Sequence, residues 1–294
     1  MDGRPYIGRF APSPTGHLHF GSLIAAVASF CDAKSNNGTW LVRIEDLDPP
    51  REVEGSADDI LRTLEGFGLV WDESVQYQST RLHLYESALE NLKYSGITFD
   101  CACSRKDLQY SGGVNFYPGT CRNGIANNKE ARSIRFLVSN SKIEEVKWTD
   151  LVQGKQNTQK SSLGDFILRR SDGYFAYHLA VVTDDADQGI TNIVRGADLI
   201  DSTPRHLLLQ EALNLHSPLY AHIPLAYNIQ ENKLSKFTKA SPIQISNAPK
   251  QIYDAIKFLG QAEIILDSPK NMLSQAINQW DISKVPGTSN THWA

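Results

Sequence analysis

The sequence is poor in cysteine and methionine and contains no long hydrophobic run. Its 294 residues include 4 cysteines, too few for a disulfide framework, so we expect a reducing, cytoplasmic environment. The longest apolar stretch, residues 23–31, is interrupted by Ser29 and is too short to span a bilayer, so we expect no membrane partner. Residues 1–5 contain no apolar segment of a secretory signal. With 41% hydrophobic and 21% charged residues, the composition is that of a soluble globular protein.

A net basic charge is also missing, because 29 lysines and arginines face 33 aspartates and glutamates. The resulting charge of −4 argues against a general nucleic-acid-binding protein. The charge is unevenly distributed, however: residues 1–100 carry −7, residues 101–170 carry +6 and residues 171–294 carry −3. Three of the four cysteines lie at the start of the basic segment. We therefore predict an inserted basic module at residues 101–149.

Strand-like and helix-like segments alternate on both sides of the basic segment. Before it, we predict strands and helices, the first helix with Ser22 as its N-cap, at residues 6–10, 22–35, 39–44, 56–68 and 80–96. After it, we predict two strands and then three helices, at residues 174–182, 190–194, 203–213, 252–259 and 272–280. This alternation favours an α/β fold with a doubly wound parallel sheet, split between residues 1–100 and 150–240. Residues 241–294 are predicted to form a small helical C-terminal region.

The loop after the first predicted strand has features of a nucleotide site. Residues 9–22 form a proline-stiffened turn and then a glycine-bounded entry into a helix. Parallel α/β sheets bind ligands at the carboxyl ends of their strands, and the N–H groups at a helix N-terminus favour an anion. His19 is suited to donate to a phosphate, and Gly21 leaves room for a base. The residues alone are equally compatible with an ordinary connecting loop.

A second polar loop, residues 232–237 (Asn-Lys-Leu-Ser-Lys-Phe), places two lysines three positions apart. By itself it is best interpreted as a solvated surface loop. Together with the first loop it gains meaning, because it resembles the KMSKS signature of class I aminoacyl-tRNA synthetases. Residues 18–22 (Leu-His-Phe-Gly-Ser) resemble the HIGH motif of the same enzymes.

Four further stretches resemble the glutamyl branch of this family and occur in the same order. They are residues 9–16 (Arg-Phe-Ala-Pro-Ser-Pro-Thr-Gly), 42–48 (Val-Arg-Ile-Glu-Asp-Leu-Asp), 177–185 and 193–204. The last resembles the glutamyl-Q tRNA(Asp) synthetases more closely than the full-length glutamyl enzymes. The resemblance spans roughly residues 5–240. It implies a Rossmann-like class I synthetase core and an ATP-dependent ligase that activates L-glutamate without tRNA.

The resemblance also implies roles for individual residues. Glutamate would be bound by Arg9, Ser13, Glu45, Tyr177 and Arg195. Glu45 would bind the ammonium group, and the arginines, whose planar forks suit carboxylates, would bind the two carboxylates with Tyr177. Catalysis of adenylate formation would fall to His19 and Lys236. ATP, with Mg²⁺, would be bound by His19, Gly21, Ser22, Lys233, Ser235 and Lys236.

The cysteine cluster suggests a structural zinc ion. From the residues alone, Cys101, Cys103 and Cys121 are also compatible with three reduced, buried thiols, because their spacing is not that of a CxxC pair. In the glutamyl-Q family a tyrosine completes the pattern Cys-x-Cys…Tyr-x3-Cys. The resemblance therefore implies one Zn²⁺ bound by these cysteines and Tyr117. Cys31 lies on an apolar helix face and is predicted to belong to the core.

The family attaches glutamate to queuosine in the anticodon loop of tRNA(Asp). Only 54 residues follow Ala240, fewer than we expect for an anticodon-binding domain. We therefore expect a monomer whose partners are ATP, L-glutamate and queuosine-containing tRNA(Asp), with tRNA contacts at Arg122, Arg132 and Arg135 in the basic segment. Two alternatives stay open: a minimal glutamyl-tRNA synthetase that charges a tRNA 3′ end, and a non-catalytic paralogue that binds tRNA or an amino acid.

Overall fold

The computed structural model describes residues 3–110, 117–126, 128–226 and 241–287. Within these residues the strands are β1 Ile7–Phe10, β2 Thr39–Ile44, β3 Gln76–Tyr77, β4 Thr98–Cys101, β5 Ser133–Phe136, β6 Glu145–Asp150, β7 Gly154–Gln159, β8 Ile167–Arg169, β9 Asn192–Gly196 and β10 Leu219–Ile223. The helices are α1 Phe20–Ser35, α2 Ser56–Gly66, α3 Leu82–Tyr94, α4 Arg105–Tyr110, α5 Tyr177–Asp187, α6 Thr203–Ala212, α7 Ala248–Phe258 and α8 Pro269–Gln279. Among them, no helix is long and apolar enough to cross a membrane.

A parallel sheet forms the centre of the molecule. Strand β1 pairs with β2 and β2 with β3, while β9 pairs with β10 and β10 with β6, all in parallel. The two groups meet at Thr191, whose N–H donates to the carbonyl of Ile7 over 2.9 Å. Thr191 Oγ1 in turn accepts the N–H of Ile7 over 2.8 Å. The carboxyl ends of β1, β9 and β10 therefore lie together at one edge, where parallel sheets bind ligands.

Both faces of this sheet are covered, because successive strand residues enter different cores. Ile193 and Tyr220 pack in one core with Leu41. The residues that follow them, Val194 and Ala221, pack in the other core with residues of α1, α2, α7 and α8. Since strand side chains alternate between faces, a strand covered on both sides is apolar at nearly every position. The predicted doubly wound sheet is confirmed, and the C-terminal helices share its core.

The basic segment contributes strands to two sheets. Strands β4, β5 and β8 form an antiparallel sheet in that order. Strands β6 and β7 form a hairpin, and β6 joins the parallel sheet beside β10 through the pairing of Asp150 with Tyr220. The segment is thus connected directly to the central sheet. The boundaries of a module at residues 101 and 149 stay a prediction.

Most predicted elements are confirmed within a few residues, but two are wrong. Helix α1 begins at Phe20, and its N-cap is His19 rather than Ser22; the His19 ring accepts the N–H of Ser22 over 3.3 Å. The strand predicted at residues 174–182 is instead helix α5. Residues 179–182 of α5 are buried in succession, so the sequence shows an apolar run without the helical period.

Candidate active site

A cleft of about 410 Å³ opens at the carboxyl ends of β1, β9 and β10, beside the N-terminus of α1. Its lining includes every described residue that the sequence predicted for catalysis, glutamate or ATP: Arg9, Ser13, His19, Gly21, Ser22, Glu45, Tyr177 and Arg195. These residues lie on five separate segments of the chain, which the parallel sheet brings together. The remaining predicted residues, Lys233, Ser235 and Lys236, lie outside the described residues.

On one side of the cleft, Arg9 of β1 is held by the carboxylate of Asp185 in α5. Arg9 Nε donates to Asp185 Oδ1 over 3.1 Å, and Arg9 Nη2 donates to Asp185 Oδ2 over 3.3 Å. Burial acts to raise the pKa of Asp185, but Arg9 and Arg43 lower it below its usual value. The ionised carboxylate fixes the guanidinium plane. Among the described residues, no acceptor is paired with Arg9 Nη1, which leaves this nitrogen for a ligand.

Behind Arg9, a fully buried arginine completes a charge network. Arg43 Nη2 lies 2.9 Å from Asp185 Oδ1 and 3.3 Å from Glu45 Oε1. The Glu45 side chain is 9% exposed and lines the cleft. Burial raises the pKa of Glu45, while Arg43 and Arg9 oppose the rise. A desolvated carboxylate of this kind favours a cationic partner, such as an ammonium group.

On the opposite side, Arg195 of β9 is surrounded by neutral acceptors. Its Nε donates to His222 Nε2 over 3.0 Å, and its Nη2 donates to Thr203 Oγ1 over 2.9 Å and to the carbonyl of Leu199 over 3.2 Å. Its Nη1 makes only long contacts, 3.4 Å to Tyr177 Oη and 3.5 Å to His206 Nδ1. The weakly bonded Nη1 is therefore the atom that a carboxylate can most easily recruit.

His19 is fixed at the entrance of α1. Its ring Nε2 lies 3.1 Å from Ser22 Oγ, and its backbone forms a bridge with Pro242. The N–H of Ile243 donates to the carbonyl of Leu18 over 3.0 Å. Ala226 lines the cleft as well. Pro242 therefore lies beside His19, and Ala226 lines the same cleft as this histidine.

Sequence reasoning missed the residues of the buried networks around Arg9 and Arg195. These are Arg43, Asp185, Thr203, His206 and His222. A usable signal existed for Arg43 and His222, which interrupt otherwise apolar strands, because a charged or polar side chain in a doubly covered strand needs a buried partner. Which partner it finds depends on the packing of distant segments.

Residues 7–255 match the sequence model of a protein family described as "tRNA synthetases class I (E and Q), catalytic domain". The chain belongs to this family. The glutamyl-Q tRNA(Asp) synthetases of Dechloromonas aromatica and Chromobacterium violaceum are each 47% identical to it, over 97% of this chain and 97% of the relative. That of Pseudomonas aeruginosa (strain LESB58) is 46% identical over 96% of this chain and 95% of the relative. The predicted ligase class is confirmed.

A solved structure supports the same fold. A glutamate tRNA ligase from Elizabethkingia meningosepticum, determined in complex with its amino acid, matches this synthetase with a TM-score of 0.84. The identity is 24%, and the match covers 99% of this chain and 67% of that chain. A glutamate-tRNA synthetase from Elizabethkingia anophelis matches with the same TM-score. The class I synthetase fold is thereby confirmed.

Outside the cleft, the synthetase brings its three clustered thiols together. The Sγ atoms of Cys101, Cys103 and Cys121 lie within 4.8 Å of one another, with 3.7 Å between the last two. Tyr117 Oη lies 3.4 Å from Cys101 Sγ and 3.8 Å from Cys103 Sγ. A tetrahedral zinc ion with Zn–S bonds of about 2.3 Å separates two sulfur ligands by about 3.8 Å. The donor set therefore fits zinc.

The surroundings of the thiols favour ionisation of Cys101 and oppose ionisation of Cys103. Burial opposes ionisation of Cys101, but hydrogen bonds with Tyr117, with the backbone of Cys103 and with Arg135 lower its pKa to about 7. Burial raises the pKa of Cys103 to about 11, with a further contribution from Cys121. A low thiol pKa improves metal binding, since the thiolate is the ligand.

The structure corrects part of the predicted tRNA surface. Arg135 is 6% exposed, its guanidinium carbon lies 4.0 Å from the centre of the Tyr117 ring, and its Nη1 donates to the carbonyl of Asp165 over 2.9 Å. Arg122 is paired with the Asp165 carboxylate. Burial removes Arg135 from the tRNA surface, whereas Arg122 is exposed despite its ion pair, and its tRNA contact stays a prediction. Of the three predicted contacts, Arg132 is the one that is exposed without a salt bridge among the described residues.

Proposed function

We propose that this synthetase activates L-glutamate with ATP to glutamyl-adenylate without tRNA, and then transfers glutamate to the queuosine base in the anticodon loop of tRNA(Asp). The observation that carries the first step is the cleft, in which two arginines and a desolvated carboxylate surround one space. The second step rests on the glutamyl-Q tRNA(Asp) synthetases that are 46–47% identical over nearly the whole chain.

The cleft has the groups that glutamate requires. Glutamate carries two carboxylates and one ammonium at neutral pH. We assign the carboxylates to Arg9 and Arg195, through their Nη1 atoms, with the hydroxyls of Tyr177 and Ser13 as further donors. Glu45 binds the ammonium, because its nearly buried carboxylate lines the cleft and is held by Arg43 over 3.3 Å.

ATP binds at the start of α1 in this proposal. The backbone N–H of Gly21, the hydroxyl of Ser22 and the ring of His19 lie at a helix N-terminus, which favours a phosphate. Lys233, Ser235 and Lys236, which lie outside the described residues, complete the proposed ATP site, and Mg²⁺ accompanies the triphosphate. The glutamate carboxylate attacks the α-phosphorus and pyrophosphate leaves. His19 and Lys236 stabilise the charge of the five-coordinate phosphorus, so catalysis consists of positioning and electrostatic stabilisation.

We further propose one structural Zn²⁺ per chain, held by Cys101, Cys103, Cys121 and Tyr117, in a monomeric cytoplasmic enzyme. Cys101→Ser is expected to remove the metal and to loosen the sheet β4–β5–β8, because structural zinc contributes directly to folding. Metal analysis of the protein purified without chelator should give one zinc per chain, and Cys31→Ser serves as the matched control. The site would be contradicted if wild-type protein without zinc had the same melting temperature as wild-type protein with zinc.

Pyrophosphate exchange tests the first step. The pure protein should convert labelled pyrophosphate into ATP in the presence of L-glutamate and in the absence of tRNA. L-aspartate, which is one methylene shorter, should support at most a small fraction of this rate. The absence of pyrophosphate exchange with glutamate would contradict the proposal and favour a non-catalytic paralogue.

A pair of tRNA substrates tests the second step. Labelled glutamate should be transferred to tRNA(Asp) that contains queuosine and not to the same tRNA purified from cells that lack the modification. Labelling of both tRNAs would overturn the base as acceptor. It would point instead to charging of the 3′ end, which ribonuclease A digestion at acidic pH would locate by releasing the 3′-terminal adenosine with its glutamyl ester intact.

A further inference from the structure

Arg195 is linked through the ring of His222 to the buried carboxylate of Asp150, which does not line the cleft. Its Nε donates to His222 Nε2 over 3.0 Å, and His222 Nδ1 lies 2.6 Å from Asp150 Oδ2. The side chains of His222 and Asp150 are both 0% exposed. Asp150 ends strand β6, so the three residues come from β6, β10 and β9 in the order in which these strands lie in the sheet.

The hydrogen bonds determine the protonation of His222. A guanidinium can only donate, so His222 Nε2 must accept and carries no proton. The single proton of the neutral ring is then on Nδ1, where it is donated to Asp150. Burial lowers the pKa of His222, with Arg195 acting in the same direction and Asp150 opposing it, which supports the neutral form. Asp150 thus selects the tautomer that lets His222 accept from Arg195.

Asp150 is itself rigidly held. Its Oδ1 accepts three backbone N–H groups, those of Val152, Gln153 and His222, at 3.0, 2.9 and 3.1 Å. Its other oxygen is therefore reserved for the imidazole. The same carboxylate fixes the turn of the β6–β7 hairpin and the ring that holds Arg195.

We propose that Asp150 and His222 are positioning residues that set the orientation of Arg195 in the cleft through a fixed histidine tautomer. The role of Arg195 as a carboxylate ligand rests on the proposed function. The positioning itself does not, because it concerns only contacts inside the protein. With Nε and Nη2 engaged by His222, Thr203 and Leu199, the device leaves the Nη1 edge for the ligand.

Asp150→Asn tests the device with almost no change in shape. Asn can keep its oxygen on the three backbone N–H groups and place its NH₂ against His222 Nδ1. The histidine proton then moves to Nε2, where it opposes the Nε–H of Arg195. We expect the KM for glutamate in pyrophosphate exchange to rise roughly ten- to a hundredfold, the range of an unsatisfied buried donor, while the KM for ATP stays within about twofold.

Asp165→Asn is the matched control. Asp165 is also buried, at 3% exposure, and its Oδ1 accepts the N–H of Val138, but it touches neither His222 nor Arg195. It should lose a comparable amount of stability and keep the wild-type KM for glutamate. An equal rise in KM in both variants would overturn the proposal, since it would show a general structural effect.

Nitrogen-15 NMR of the histidine side chains gives a readout that is independent of activity. The wild-type His222 should carry its proton on Nδ1, and Asp150→Asn should move it to Nε2. A wild-type proton on Nε2, or an unchanged tautomer in the variant, would overturn the positioning. If the wild type shows no glutamate-dependent exchange, the proposed function fails, and the tautomer still decides this inference.

A second pair of variants covers the case in which Asp150→Asn does not fold. His222→Gln keeps an acceptor near the position of Nε2, whereas His222→Leu removes it. We expect a smaller rise in the KM for glutamate with His222→Gln than with His222→Leu. Equal KM values would show that the acceptor does not orient Arg195.

Discussion

Arg9 and Arg195 face the same cleft from opposite sides, and their surroundings differ in charge. Arg9 is paired with the ionised Asp185, which also contacts the buried Arg43. Arg195 is held by a neutral imidazole, a hydroxyl and a carbonyl, and the carboxylate of Asp150 lies beyond the ring of His222. Both guanidinium groups are thereby fixed in orientation. Within the part of the chain that the structure describes, Arg9 has a direct ion pair and Arg195 has none.

The difference has a consequence for binding. A carboxylate that approaches Arg9 also meets the negative field of Asp185, whereas Arg195 presents its charge without such a neighbour. Two unit charges 4 Å apart interact by about 4 kcal/mol at an effective dielectric constant of 20, so a direct counterion matters. We expect Arg195 to contribute more of the attraction for the substrate, and Arg9 more of the geometry.

The largest expected effect concerns stability on the Arg9 side. Asp185→Asn leaves Arg9 and Arg43 without their shared carboxylate, and breaking a buried ion pair typically costs about 3–5 kcal/mol. The free energy of unfolding, measured by urea denaturation, should fall by this amount. Asp187→Asn, at a side chain that is 49% exposed, should change it by less than about 1 kcal/mol. Equal decreases in the free energy of unfolding for both variants would mean that the buried ion pairs of Asp185 stabilise the fold no more than the exposed one of Asp187.

Substitution of the two arginines compares the sides directly. Arg195→Gln should lower kcat/KM for glutamate by more than about a hundredfold, since removing one partner of a desolvated charge pair costs roughly 2–5 kcal/mol. Arg9→Gln should have a smaller effect on the KM for glutamate and a larger one on stability, because Asp185 loses a partner. Arg62→Gln, at a side chain that is 69% exposed, is the control. A larger KM effect for Arg9→Gln would reverse the comparison.

A pH profile tests whether the carboxylate of Glu45 binds the ammonium group of the substrate. Burial raises the pKa of Glu45, so this group takes up a proton at a higher pH than an exposed glutamate. Only the anion binds an ammonium group, so the KM for glutamate should be constant at higher pH and rise as the pH falls through this raised pKa. In Glu45→Gln only the substrate titrates, so this variant separates the titration of the substrate from that of Glu45. The same profile in wild type and variant would remove Glu45 from the site.

The smallest effect is expected outside the cleft, where basic side chains are exposed. Replacing Arg105, Lys106 and Arg132 with Gln should weaken tRNA binding, because exposed cations release counterions from phosphates. The slope of log affinity against log salt should become shallower by about 2 to 3. The same number of exposed lysines in the C-terminal region, Lys257, Lys270 and Lys284, provides the control. An identical slope in both triple variants would exclude a specific basic surface.

Local patterns in the sequence were sufficient for several features. The strand at residues 39–44 is confirmed to the residue, because a doubly covered strand is apolar at nearly every position. The thiols of Cys101, Cys103 and Cys121 lie within twenty-one residues of the sequence, and their Sγ atoms lie within 4.8 Å of one another. The residues of the cleft were also predicted, on the strength of ordered motifs shared with a known family. Their roles stay predictions.

Other features depend on contacts that no local pattern contains. Helix α5 was predicted as a strand because its buried surroundings hide the helical period. Arg135 was predicted on the RNA surface because its charge was counted without its burial under Tyr117.

By itself, the sequence determined the alternation of strands and helices before the basic segment, the chemical types of the groups in the cleft and the cysteine cluster. Tertiary structure alone decided how each group is held: Asp185 against Arg9, and Asp150 and His222 behind Arg195. The physical reason is the distance along the chain. Asp150 and His222 are 72 residues apart, and the parallel sheet that joins β6 to β10 is what places their side chains in contact.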